Sequence, residues 1–559
     1  MMATTFEEPK TLTAALRRTW HLPLVVHAAA FLVVLGVVLI SSMHPTSAYT
    51  TDEGVYALQA VELQRGRWTP EHQLVRYDVG GIDLPLLGSS QRVGESPVYS
   101  KHPLWPYILA ASGSLFGNRL GFHLPSLVGA VGAASAAWCL AGALDRRAAR
   151  PAFWLLAGGP LLAHSFLLWA HAPFAALSGF ALVLALRVVQ RRGGALTIIG
   201  CGTLLALGVL LRSEAAFFAA ATGLVVALEV GRRSGIRSGA FAFVGLGLPC
   251  AVALYVERAW VSSILSSSLT APVSPARSDS SSYVAQSASG ATRSLLAGSY
   301  GGGAAAQVLA LAALVVPVLA VLALRRGGPR HDIVIGAGIA AGLLVARLVL
   351  APGEPIGGFL PAWPLIVAGL AVASGYLRQD LRRVLVRVSV LVLVAVLANQ
   401  SAVGGGLDWG GRYLGGLWVP LAALAAGGLA ARWDAWDPDV RAAATLAAVT
   451  LGSATAVVCV VAVASLRSDH ASLAAAIESV GSPVAVSTIP SAPRLAWRTD
   501  DDVAWVLVEP RDLDQLTAEL ADSGEGVVTV IARERPSGAG FSVVEPVGDA
   551  VWALTNPSD

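Results

Sequence analysis

Apolar residues fall along this chain in long runs, at roughly 23–42, 121–143, 152–168, 173–189, 195–211, 214–230, 240–256, 304–324, 333–350, 359–376, 384–399, 415–431 and 441–465. A helix rises about 1.5 Å per residue and needs about 17–25 apolar residues to cross a hydrocarbon layer, so the pattern predicts about thirteen transmembrane helices, several at the short limit. Leu104–Phe116 is apolar but too short to span, which predicts a helix lying in the interface or re-entering the membrane. Beyond residue 467 the period changes. Short alternating runs at Pro483–Ser487, Val503–Val508 and Gly526–Ile531 predict strands, and 468–480 and 511–522 predict amphipathic helices. The expected fold class is a polytopic α-helical membrane domain over residues 1–466, followed by a small α/β domain over 467–559.

Composition narrows the class without changing it. Of the 559 residues, 55% are hydrophobic and only 13% charged, with a mean hydropathy of +0.64, which excludes an ordinary soluble domain. Net charge is +3, carried almost wholly by arginine, because Lys10 and Lys101 are the only lysines. The arginines recur in alternate loops: Arg17 and Arg18; Arg146, Arg147 and Arg150; Arg191 and Arg192; Arg232, Arg233 and Arg237; Arg325, Arg326 and Arg330; Arg378, Arg382 and Arg383; then Arg432 and Arg441. By the positive-inside rule these loops are expected to be cytoplasmic. Residues 43–103, the 258–303 loop and the C-terminal domain are then expected on the outer face. The first apolar run reads as a retained span and not a cleaved signal, since no small-residue cleavage site follows it. Abundant Ala, Gly, Val and Arg suggest a GC-rich genome, and the expected location is the cytoplasmic membrane of a bacterium. The Ser-, Ala- and Gly-rich 258–303 loop reads as a flexible cover or as a plain connection. Cys139, Cys201, Cys250 and Cys459 lack the spacing of a metal or redox pair, and nucleic acid is not an expected partner.

Polar chemistry concentrates in the loops expected outside. Thr51-Asp-Glu-Gly-Val-Tyr56 puts two acids where the chain leaves the first span. Thr51 or Asp52 suits a helix N-cap, so a capping role and a catalytic role are both open. Candidate cations are Lys101 before the interfacial helix, Arg212 at the end of one span, Arg347 about one turn inside another, and Arg412 in the Gly-rich segment 404–416. An arginine in lipid normally faces a polar cavity or snorkels to the interface, and Arg347 suits either. If their spans converge, these four cations form an anion site. Asp408, Trp409 and Tyr413 flank Arg412, where the aromatics suit a sugar platform or an interfacial belt. Histidines at 44, 72, 102, 123, 164 and 171 fall on or near the same side. They show no recognised ligand spacing, so no cofactor is expected, although a divalent metal is compatible with imidazoles and carboxylates.

The pattern Thr51-Asp-Glu-x-x-Tyr56, then Glu62, Gly66, Trp68 and Pro70, then Lys101-x-Pro103-Leu104, resembles the polyprenyl-phosphate-sugar transferases of the GT-C fold. That group includes the bacterial lipid A aminoarabinose transferases and the protein O-mannosyltransferases. The likeness covers roughly residues 23–230 at the level of motifs and is architectural beyond. It implies inverting transfer from a polyprenyl-phosphate sugar to an acceptor hydroxyl on a glycan, glycolipid or protein, next to membrane lipids. It also implies Asp52 as the base and Lys101 as a donor-phosphate ligand, with Glu53 orienting Asp52 or a neighbouring cation. Tyr56, His102, His171, Asp408, Trp409 and Tyr413 complete the expected substrate site. Two positions depart from the pattern: His171 stands where resembling enzymes often carry an acid, and His102 replaces a more usual proline. A reading from another class is a lipid-linked-glycan transporter or a non-catalytic scaffold in envelope polysaccharide assembly.

Overall fold

The computed structural model describes residues 23–44, 47–67, 90–93, 96–99, 102–264, 283–296, 303–326, 329–373, 380–399, 409–489, 491–497, 503–538, 541, 543–548 and 550–555. Each apolar run coincides with helix. In chain order the helices that matter here are α1 (Leu24–Ser42), α2 (Thr51–Gln64), α3 (Leu104–Phe116), α4 (Leu124–Leu144), α5 (Ala149–Ala157), α6 (Pro160–Phe166), α7 (His171–Val189), α8 (Ala195–Leu211), α9 (Ala215–Ser234), α10 (Ile236–Ile264), α11 (Tyr283–Leu296), α12 (Gly303–Arg325), α13 (His331–Leu350), α14 (Pro364–Val372), α15 (Asp380–Ala398), α16 (Trp418–Trp433), α17 (Pro438–Val480), α18 (Ala492–Leu495) and α19 (Leu513–Asp522). Among the described residues, nine helices are long and apolar enough to cross a membrane, which makes this a multi-pass membrane protein.

Nine is fewer than the thirteen apolar runs, for local reasons. The run at 152–168 is not one helix, because Gly158 and Gly159 separate α5 from α6. Gly159 is extended, and a Cβ on it would lie 2.3 Å from Nε1 of Trp363. Pro160 then starts α6, where its missing N–H costs nothing. Helix α8 has 17 residues and α14 nine, and α15 opens with Asp380, Arg382 and Arg383. The described residues of the 258–303 segment are helical. Helix α10 continues through residue 264, and α11 docks by accepting the N–H groups of Phe359 and Leu360 on the carbonyls of Ser294 and Leu295. Helix α3 has the predicted bounds.

Small residues let the central helices approach closely. A Cβ on Gly129 of α4 would lie 2.5 Å from the backbone nitrogen of Pro173 in α7, and one on Gly179 would lie 2.6 Å from Cβ of Ala136. Such contacts replace the hydrophobic driving force that lipid cannot supply between spans. The outer surface is apolar: Val33, Val37 and Ile40 of α1, Ile236 of α10 and Val349 of α13 are all exposed. Arginine-rich loops pair with acids in other loops expected on the same side. Arg147 meets Asp434, and Arg330 lies 2.6 Å from Asp439. Between helices, the buried Glu229 of α9 lies 2.8 Å from Arg233 of the same helix and 3.4 Å from Arg387 of α15.

The division expected after residue 466 falls inside α17, a single helix of 43 residues. It carries no internal proline, and Gly481, in the left-handed region at φ 67°, ends it. The last turns of α17 form one wall of the C-terminal domain. There a five-stranded sheet runs in the order β4-β3-β5-β7-β6, with β3 (Val484–Ser487), β4 (Ala504–Leu507), β5 (Val527–Ile531), β6 (Val543–Gly548) and β7 (Val551–Thr555). A separate hairpin, β1 (Ser90–Val93) with β2 (Ser96–Tyr99), lies in the segment before α3. Strand β3 is parallel to β4 and β5, and β7 is antiparallel to β5 and β6. Alternation decides the two faces: Val484, Val486, Val528 and Val530 pack on Leu516 and Leu520 of α19, while Ala485, Trp505 and Ile531 pack on Ile477 of α17 and Ala492 of α18.

Gly129→Leu is expected to destabilise the bundle by about 1–3 kcal/mol through overpacking at Pro173, measured as a lower melting temperature of detergent-purified protein; an unchanged melt would show that α4 and α7 can part at no cost.

Candidate active site

The site begins with the start of α2. Its N-cap is Thr50, extended at φ −135° and ψ 163°, just ahead of the two caps expected from the sequence, Thr51 and Asp52. Glu53, at the third helical position, turns its carboxylate back to the N–H groups of Tyr49 and Thr50, so it serves the helix end. The same carboxylate accepts the N–H of Leu168 and, at 2.9 Å, Nη2 of Arg467 from α17. Both side chains are fully buried. Arg467 donates further to the carbonyl of Phe166 at 2.8 Å, and its own carbonyl accepts the hydroxyl of Ser47. Of the two roles expected for Glu53, it orients a neighbouring cation, Arg467, and not Asp52: its oxygens are occupied by four donors, and it ties α2 to the α6–α7 turn and to α17.

This leaves Asp52 without a capping task. Its Oδ2 accepts Nη1 of Arg412 at 2.9 Å, and the two side chains are 24% and 20% exposed. Arg412 opens the 3-10 helix Arg412–Leu417, just after Gly410 and Gly411 at φ 68° and 60°. Glycine is needed there twice over, since a Cβ on Gly411 would also lie 2.5 Å from the carbonyl oxygen of Ser294. The second arm of Arg412 donates to the Tyr413 hydroxyl at 3.1 Å. Its guanidinium lies 4.9 Å from the Tyr413 ring centre and 5.5 Å from that of Trp169.

Arg212 joins the group from the C-terminus of α8. The short turn through Ser213 brings its Nε to 2.8 Å from Oε1 of Glu214, and its guanidinium lies 6.0 Å from the Tyr413 ring centre. Tyr56 sits one helical turn after Asp52 and feels the charges of Arg212, Asp52, Arg412 and Glu214. Burial pushes its phenol up to about 12, so at neutral pH it keeps its proton and is a donor. The arrangement is a partly exposed carboxylate paired with the guanidinium of Arg412, with the Tyr56 phenol and the Arg212–Glu214 pair in the same cluster and aromatic rings beside both cations.

Other expected members lie elsewhere. Arg347 is buried and donates to the carbonyls of Glu354 and Pro355 at 3.0 and 2.7 Å, so it holds the turn after α13 instead of joining an anion site. Trp409 is fully buried, which excludes both a sugar platform and an interfacial belt; its carbonyl pairs with Nε2 of His164 at 2.9 Å. His171 is also fully buried, with its ring centre 4.9 Å from that of His164 and 5.0 Å from that of Trp169, so it supports the aromatic floor beneath Arg412 and does not meet substrate. His102 pairs with Glu257 of α10. Lys101 and Asp408 lie outside the described residues. Among the described residues, no group of three or more His, Cys, Asp or Glu side chains could hold a metal ion. Sequence reasoning missed Trp169 and Arg467. Glu214 follows Arg212 by two residues, a spacing that offered a weak signal.

Removing one partner of a buried pair leaves the other charge uncompensated, which costs about 3–5 kcal/mol. Arg467→Met and Glu53→Gln are each expected to lower the melting temperature sharply, and the double variant by less than the sum of the two, as thermal melts in detergent will read.

No family model matches the sequence, and no curated protein matches it. Among solved structures, ArnT from Cupriavidus metallidurans bound to undecaprenyl phosphate is similar at a TM-score of 0.54, with 13% identity over 94% of this chain and 97% of that one. The same enzyme in the apo state gives a TM-score of 0.52 at 11% identity, with the same coverage. At such identities the likeness concerns the fold. This chain has the GT-C fold along nearly its whole length, C-terminal domain included.

Proposed function

We propose that the protein is an inverting glycosyltransferase, moving a sugar from a polyprenyl-phosphate donor to an acceptor hydroxyl of an envelope glycan, glycolipid or protein on the outer face of a bacterial cytoplasmic membrane. The observation that carries this reading is Asp52: relieved of capping by Thr50 and Glu53, it stands half-exposed beside Arg412 in a cluster with Arg212 and Tyr56. The undecaprenyl phosphate bound to the structural neighbour ArnT supports the choice of donor class.

In this reading Asp52 takes the proton of the acceptor hydroxyl as the acceptor oxygen attacks the anomeric carbon. The bond from that carbon to the phosphate oxygen breaks, and the polyprenyl phosphate leaves with the electron pair. Because phosphate departs as a stabilised anion, one carboxylate suffices. Arg212 and Arg412 balance the charge that grows on the leaving oxygen, at a place where the aromatic floor limits water and strengthens their field. Tyr56 donates from beside Asp52. Arg412 changes partner in the cycle: with no donor present it neutralises Asp52, and an arriving phosphate competes for the same guanidinium.

Asp52→Asn is expected to lower transfer by about 10²–10⁴-fold in detergent-purified protein with an unaltered melting temperature, and activity within a few-fold of the parent would refute the base. Transfer by purified protein, with no gradient and no second compartment, also separates an enzyme from a transporter or scaffold. The cations sort by their contacts. Arg412→Ala is expected to raise the donor KM by about tenfold or more, the size of a lost charged contact, whereas Arg347→Ala leaves it within about twofold per folded molecule; equal effects would dissolve the distinction.

A further inference from the structure

The C-terminal domain reaches the candidate site through one short segment. Helix α18 lies directly on α2, and the point of contact is Gly54, two residues from Asp52. A Cβ on Gly54 would fall 1.8 Å from the carbonyl oxygen of Arg494 and 2.9 Å from its Cα. No other residue type leaves room for this approach, which explains a glycine in the first turn of a helix where it otherwise weakens the structure. Trp497, just after α18, anchors the same segment against Phe122, at 6.0 Å between ring centres. The backbone of Arg494 is thereby fixed over the start of α2, and its half-buried side chain lies within electrostatic reach of Asp52.

We propose that Arg494 is a positioning residue for Asp52, so that the acid is held between a cation of the membrane domain, Arg412, and a cation supplied by the C-terminal domain. This inference rests on the proposed transfer reaction. Arg412 bonds one oxygen of Asp52 and is the cation that an incoming phosphate would share. A carboxylate that loses its partner as substrate binds would turn away or take up a proton, and in neither state can it accept one from the acceptor. Arg494 meets that need from a different element, on a backbone pinned by Gly54 and Trp497. The C-terminal domain then contributes a cation to the site, and a membrane domain without it lacks that cation.

The test uses the whole chain in detergent, with undecaprenyl phosphate as binding probe and undecaprenol as the control lacking phosphate. Arg494→Gln is expected to lower kcat at least tenfold while leaving the donor KM, the affinity for undecaprenyl phosphate and the binding stoichiometry within twofold. Arg494→Lys, which restores the charge, is expected to recover kcat to within threefold of the parent. Arg494→Met keeps more of the aliphatic stem and serves as the neutral variant should Gln fail to fold. A neutral variant with kcat within twofold of the parent would overturn the proposal. So would a loss of kcat matched by an equal loss of binding stoichiometry and not recovered by Lys, which marks a structural clamp. If the parent itself neither binds undecaprenyl phosphate nor transfers sugar, the reaction assigned above fails and this proposal with it; a working parent with an indifferent Arg494 overturns this proposal alone.

Discussion

The fully buried pair of Glu53 and Arg467 is the contact on which the site depends. Two ions removed from water are stable only if nearly every lone pair and proton finds a partner. Here the carboxylate meets three backbone N–H groups besides the guanidinium, and the guanidinium also donates to the Phe166 carbonyl. The cost of burial is offset by donors from three separate stretches: the start of α2, the α6–α7 turn and α17. None can shift without stranding a charge. A pair of this kind is weak evidence of stability, yet it fixes register between segments 414 residues apart in the chain.

Adjacent acids therefore divide two tasks that one residue cannot perform together. A carboxylate that satisfies a helix end is tied to N–H groups and is a poor base, while a base must be reachable and hold its charge near the reacting atoms. Glu53 takes the first task by facing the interior, and Asp52, one residue earlier and rotated by about 100° around a helix, faces Arg412 and is partly exposed. The cations divide in the same way. Arg347 spends its donors on backbone carbonyls and Arg467 divides its own between Glu53 and the Phe166 carbonyl, whereas Arg212 and Arg412 are paired with the acids Glu214 and Asp52 near Tyr413.

Apolar periodicity was enough to locate the spanning helices, the short α3 and three strands of the C-terminal domain, because burial against lipid or core repeats locally. It failed where one contact decides. The break at Gly158 and Gly159 depends on the indole of Trp363, some two hundred residues away. Strands β6 and β7 were not visible, since Pro546 and a register shift before Gly548 disturb the alternation. Asp52 and Arg412 could be named as candidates from charge in an apolar chain, but their pairing could not. Arg467 was hidden for another reason: it lies in a Ser-, Asp- and His-containing stretch that reads as the solvated start of a new domain, whereas α17 runs straight through it.

The unbroken course of α17 has a mechanical consequence. A helix of 43 residues is about 65 Å long, and a rigid rod of that length converts a tilt of about 5° into a displacement of roughly 5 Å at its far end. A span longer than the surrounding hydrocarbon layer relieves the mismatch in part by tilting, within what packing against its neighbours allows. The same rod holds Glu53 through Arg467 and carries the sheet to which α18 is attached. The thickness of the surrounding lipid thus becomes a variable of the site itself, transmitted along a single lever.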